Sequence, residues 1–149
     1  MSVKIRGGCL CGAIRYESHA EPQFSILCCC RQCQKITGTG HAPQFALPKT
    51  QVTVIGKPKF HRMSADSGNE VSNAFCPNCG NPIFKASSGY PDMMFFHVAT
   101  LDDPTLFKPQ AVVWSTLSSP AAANPWAKLP HDRRGREMPR SASSAISCR

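Results

Sequence analysis

The sequence predicts a single domain of mainly β structure, built from short antiparallel strands with little helix, and three observations predict it. Short runs rich in β-branched and aromatic residues recur along the body of the chain. Gly, Pro, Asn and Ser separate them at regular intervals. No long run with a helical period interrupts the series. A length of 149 residues suits one modest core and needs no second domain.

Taken in order, the expected strands are AIRYES (13–18), FSILC (24–28), APQFAL (42–47), QVTVIG (51–56), KFHRM (59–63), EVSNAFC (70–76), NPIFKA (81–86) and MMFFHVATL (93–101). Each is a short apolar or alternating run bounded by turn residues. Residues 32–37 are expected to supply one helical turn. LDDPTLFKP (101–109) reads as a loop, because Pro104 and Pro109 bar extended ladder pairing. Tyr16 and Phe84 are expected in the core. From Ser118 the composition shifts to Pro, Ala and Ser; Trp126 is expected to anchor the first part of this segment, since a large ring seldom sits free. The domain is drawn at 1–130, and 131–149 is expected to be a disordered Arg/Ser-rich tail.

Charge and compartment narrow the function classes. The first residues lack the apolar stretch of a secretory signal, and no run approaches the roughly 18 consecutive apolar residues of a membrane span. A soluble cytoplasmic protein without a membrane partner is the expectation. There, nine cysteines point to metal or catalysis before disulfides, and an odd number cannot pair fully within one chain. The formal charge of +8 suggests nucleic acid, but it counts every cysteine as neutral. One zinc held by four thiolates and another by three would bring it to +5. Residues 131–149 carry five Arg against Asp132 and Glu137, so the body would keep only about +2.

Setting aside Cys148, expected to be a free surface thiol, the cysteines form three groups: Cys9 with Cys11, then Cys28, Cys29, Cys30 and Cys33, then Cys76 with Cys79. In the last group a C-P-x-C-G turn lets two sulfurs converge on one metal, and Gly80 admits the backbone conformation such a knuckle needs. Cys9 and Cys11, two apart, would share one face of an extended strand and form a second arm. Cys28 and Cys30 would likewise share a face, with Cys33 reached by the following turn and Cys29 pointing away. Seven converging thiols divide into a closed four and an open three, the difference between a structural and a catalytic zinc. Spacing leaves that partition open. Cys9, Cys11, Cys30 and Cys33 could form one zinc ribbon beside a Cys76/Cys79 redox dithiol, or one cluster could hold several metals.

Three stretches, GGCLCGAIRY (7–16), CCCRQCQK (28–35) and FCPNCGNPIF (75–84), together resemble the glutathione-dependent formaldehyde-activating enzyme family, which includes centromere protein V. The likeness continues more weakly through LFKPQAVVW (106–114) to NPW (124–126). The resemblance implies a zinc-binding β-tent fold. It also implies a structural zinc on Cys9, Cys11, Cys76 and Cys79, and a catalytic, labile zinc on Cys28, Cys30 and Cys33. The implied activity is a carbon–sulfur lyase, joining glutathione and formaldehyde reversibly as S-hydroxymethylglutathione. Two positions depart from the family pattern: Cys29 stands where a His is common, and the AVVW strand lacks a His found in relatives.

Other residues carry less. His41, His61 and His97 lie in or beside expected strands and read as structural, His41 being the one nearest the cysteine triplet. Arg31, Gln32 and Lys35 flank that triplet and could meet a substrate carboxylate, though solvated surface charge is the simpler reading. Two other functions compete with the lyase. One is a zinc-ribbon-type module binding nucleic acid or protein, aided by the basic tail. The other is a zinc or thiol redox sensor using Cys29.

Overall fold

The computed structural model describes residues 5–65, 67–117 and 131–132. The expected Trp126 anchor, Cys148 and nearly all of the expected tail lie outside the described residues. The strands among the described residues are β1 (Ile5–Gly8), β2 (Arg15–Ser18), β3 (Phe24–Cys28), β4 (Ala42–Pro48), β5 (Val52–Ile55), β6 (Lys59–Ser64), β7 (Glu70–Phe75), β8 (Pro82–Ser87), β9 (Tyr90–His97), β10 (Ala111–Val113) and β11 (His131–Asp132). The α-helix among the described residues is α1 (Arg31–Thr37). The protein is mainly β, as its sequence predicts. No helix among the described residues is long and apolar enough to cross a membrane.

The strands form two sheets. A small one has the order β1-β2-β5 and is antiparallel throughout. The large one has the order β11-β10-β3-β4-β9-β8-β7-β6. It is antiparallel from β3 to β6, but β10 lies parallel to both β3 and β11, where antiparallel pairing alone was expected. A parallel neighbour requires a long crossover, and the chain from β3 to β10 supplies one by building most of the large sheet in between.

Alternation along β4 shows how the sheet is used. Phe45 and Leu47 face one way, into a core shared with Ile5, Ile14 and Tyr16 of the small-sheet side and with Phe84 and Phe96. Phe96 is fully buried at its centre, with ring centroids 4.3 Å from Tyr16, 5.3 Å from Phe84 and 5.6 Å from Phe45. Ala42 and Ala46 face the other way, with Cys28, Cys30, Cys33 and Phe95. The large sheet thus has a hydrophobic side under the small sheet and a cysteine-bearing side under α1.

Helix α1 is short, and its ends are set by local chemistry. The Cys30 side chain caps its first turn, accepting from the Cys33 amide at 3.3 Å, and the chain leaves at Gly38. A thiol in the place usually taken by a hydroxyl or carboxylate cap ties helix start and cysteine cluster to one residue. Gln34 holds the other side: its Nε2 donates to the Cys29 carbonyl at 2.6 Å and to the Leu117 carbonyl at 2.7 Å.

Candidate functional site

Seven of the eight described cysteines gather in two places. The Sγ atoms of Cys9, Cys11, Cys76 and Cys79 lie within 4.8 Å of one another, and so do those of Cys28, Cys30 and Cys33. No described cysteine is in a disulfide. Sulfurs on a tetrahedral zinc with bonds of about 2.3 Å stand about 3.8 Å apart. Cys9 and Cys11 are 3.6 Å apart, and Cys11 and Cys76 3.7 Å. The donor chemistry and the spacing both fit zinc.

The four-cysteine group joins two turns far apart in sequence. Cys9 and Cys11 were expected on an extended strand, but the chain turns there instead. The Gly12 amide donates to the Cys9 carbonyl at 3.1 Å with Gly12 at φ 77°. The Ile14 amide then donates to Cys9 Sγ at 3.2 Å, which turns the sulfur inward. Bending is what lets both sulfurs reach one point, since an extended strand would hold them further apart. The second arm behaves as expected: Gly80 has φ 73°, and its amide donates to the Cys76 carbonyl at 2.8 Å. Asn81 locks the two arms together, its Oδ1 accepting from the Leu10 amide at 3.0 Å. Hydrogen bonds from the Asn78 side chain and then the Ala13 backbone bring the Cys11 thiol down to about 6. Backbone hydrogen bonds, that of Asn81 first, lower Cys79. These arrangements suit thiolates at Cys11 and Cys79, whereas Cys76 is pushed up to about 11: the Cys79 backbone favours its ionisation, but burial and the Cys9 and Cys79 side chains outweigh it.

The three-cysteine group is different. Cys28 ends β3, Cys30 caps α1 and Cys33 lies in its first turn, and all three are buried. Cys29 points to the opposite side, among Leu27 and Val112. Buried polar groups crowd Cys33: Gln44 Nε2 donates to its sulfur at 3.4 Å and Lys85 Nζ at 3.6 Å. Hydrogen bonds from Cys28 and Cys30, joined by Lys85 and Gln44, hold the Cys33 thiol well below its ordinary value in spite of burial. Cys28 moves the opposite way: the Cys30 hydrogen bond favours its ionisation, but Cys33 and burial outweigh it.

His97 stands opposite Gln44 on the β4–β9 ladder, and Lys85 opposite Phe95 on the β8–β9 ladder. His97 is buried with no hydrogen-bond partner at Nδ1. Burial first, then repulsion by Lys85, brings it down to about 4, against the pull of Cys33. His97, expected as a structural histidine, also lies in the polar surroundings of the cluster. His41 is half-buried, and hydrogen bonds from Thr37 and Thr39 engage its backbone carbonyl. His61 is exposed. Arg31 and Lys35 are exposed, Gln32 is half-buried, and the Arg31 guanidinium donates to Gln34 Oε1 at 2.5 Å.

Sequence reasoning missed Gln44, Lys85 and Gln34. A signal existed for the first two: each is the polar residue inside an apolar run, APQFAL and NPIFKA, where alternation would bury it. Gln34 gave none, because a short polar helix reads as surface.

Residues 4–116 match the family model described as glutathione-dependent formaldehyde-activating enzyme. Among solved structures, the crystal structure of a Rhodobacter sphaeroides protein, a structural-genomics target, matches with a TM-score of 0.52 and 18% identity, over 85% of this chain and 99% of its own. That likeness concerns the fold. No curated protein matches the chain.

Proposed function

This chain belongs to the glutathione-dependent formaldehyde-activating enzyme family, and on that premise we propose that it is a zinc-dependent carbon–sulfur lyase. Its substrate is the adduct of a glutathione-like thiol with formaldehyde. Cys28, Cys30 and Cys33 hold the catalytic zinc, and Cys9, Cys11, Cys76 and Cys79 hold a structural one. The observation that carries this reading is the unequal size of the two clusters. Four sulfurs complete a tetrahedron, whereas three leave one position for a substrate.

Zinc bound at the open cluster would supply acidification of an incoming thiol, so that its sulfur is a thiolate near neutral pH. The chain's own residues do the rest. Cys30 fixes the start of α1, so the helix start and the cluster share one residue. Gln34 ties α1 to the backbone at Cys29 and Leu117. Gln44 and Lys85 donate to Cys33 and hold it as a thiolate. Burial of all three sulfurs keeps bulk water away from them. In the forward direction the thiolate sulfur bonds to the formaldehyde carbon, the carbonyl electron pair passes to oxygen, and oxygen takes a proton from solvent. The reverse breaks that carbon–sulfur bond.

The test is Cys30→Ser set against wild type, following zinc per chain and the enzyme-dependent rate of S-hydroxymethylglutathione formation above the spontaneous background. The expected result is two zincs in wild type, one in the variant, and loss of the enzymatic rate with unchanged circular dichroism. Full activity in a variant that holds one zinc refutes the reading.

A further inference from the structure

Lys85 is a buried cation on the interior face of β8, with 8% of its surface exposed. Burying an ammonium is costly unless an anion compensates it. The anion here is sulfur: Lys85 Nζ lies 3.6 Å from Cys33 Sγ and 5.6 Å from the centroid of the Phe95 ring, whose face also favours a cation. Gln44 donates to the same sulfur from β4. Side chains from two strands of the large sheet thus hold Cys33.

Charge gives this placement a purpose beyond holding Cys33. Three thiolates around a divalent cation carry one net negative charge, and a thiolate substrate would raise it to two in a buried site. Such accumulation disfavours an anionic fourth ligand over a neutral one. An ammonium 3.6 Å from one of the three sulfurs offsets part of it, and weak screening in the interior strengthens the effect. We propose that Lys85 is a positioning residue for the thiol substrate, its buried ammonium offsetting the charge that accumulates when a fourth sulfur joins Cys28, Cys30 and Cys33. The role rests on the function proposed above and goes further, since it predicts selection for any thiolate, whatever else the substrate carries.

Binding of thiols to the cobalt-substituted protein tests this directly, because a new sulfur-to-cobalt charge-transfer band reports a fourth sulfur without any turnover. Wild type, Lys85→Met and Lys85→Arg are titrated with glutathione, which bears two carboxylates, and with 2-mercaptoethanol, which bears none. The expected result is that Lys85→Met weakens both thiols by roughly tenfold to a hundredfold, with metal per chain unchanged, and that Lys85→Arg restores most of the affinity. Equal binding by Lys85→Met and wild type overturns the proposal. Weakening confined to glutathione also overturns it and makes Lys85 a carboxylate site. Loss of the cluster's metal in Lys85→Met, restored in Lys85→Arg, overturns it in favour of a role in holding the three cysteines. Absence of any new band in wild type refutes the open thiol site itself, and with it the role of Lys85. Should Lys85→Met not fold, Lys85→Gln carries the same comparison.

Discussion

Single residues of this protein divide sharply by what their burial costs. Phe96 is fully buried among three other rings, so Phe96→Ala should cost about 3–5 kcal/mol, measured as a shift in the denaturant midpoint at constant slope. His97 is buried as the neutral imidazole, with its titration brought down to about 4 from an ordinary 6.5. Between those values the unfolded chain takes up a proton that the folded one refuses. The contribution of His97 is therefore complete above about pH 6.5 and is lost as pH falls towards 4, by up to about 3 kcal/mol. His97→Asn should flatten the fall in stability between pH 6.5 and 4.5, read from urea unfolding of both proteins across that range. By contrast the Arg15–Asp102 ion pair is largely exposed, so Asp102→Ala should change stability by no more than about 1 kcal/mol. The legibility of residues follows the same division: Tyr16 and Phe84 were readable as core because large apolar side chains have one destination. Lys85 and Gln44 were legible only as far as burial, because an apolar run places a polar residue inside but does not name a sulfur on another element as its partner.

At the scale of elements, α1 is the least self-sufficient. Seven residues are far too few for a stable helix in isolation, and its position depends on the Cys30 cap and on Gln34. Gln34→Ala leaves the carbonyls of Cys29 and Leu117 without that donor, so a loss of about 1–3 kcal/mol is expected. The informative comparison is the rate at which a chromophoric chelator removes metal: the three-cysteine cluster should release faster in Gln34→Ala, and the four-cysteine cluster at the wild-type rate. Strands β3 to β8 were legible nearly to the residue, since each is a short apolar or alternating run closed by turn residues. The β1 strand was overlooked because IRGG carries neither alternation nor β-branched residues after its first position. The β10 strand entered only with the family resemblance, as AVVW (111–114), because three residues are too few to show a period, and its parallel pairing with β3 is set by a crossover that no local window contains. The Cys9–Gly12 segment was misjudged as extended for a related reason, as C-x-C spacing permits both a strand and a turn, and only the demand of four converging sulfurs selects the turn.

At the scale of the whole molecule, the two clusters lie on opposite faces of one large sheet, and they differ in what they hold together. The four-cysteine group connects the turn after β1 with the turn between β7 and β8, so it bridges the two sheets. Folding of such a bridge and binding of a metal there would be one process. Cys76→Ser should accordingly lower the melting temperature far more than Cys30→Ser, which alters a cluster contained within β3 and α1; differential scanning calorimetry of the two variants distinguishes them. The existence of the cysteine groups was legible from spacing, but their partition was not, because the closing contact spans the distance from Cys9 to Cys76 and depends on the path of every strand between. That span also sets an order of events during synthesis. Six cysteines, from Cys9 to Cys33, leave the ribosome before either Cys76 or Cys79 exists. A zinc ion meeting the nascent chain therefore finds enough sulfur for a complete but wrong tetrahedron, and native assembly requires that this premature capture stay reversible. Denatured, reduced protein diluted first and given zinc afterwards should regain its native circular dichroism in higher yield than protein loaded with zinc before dilution.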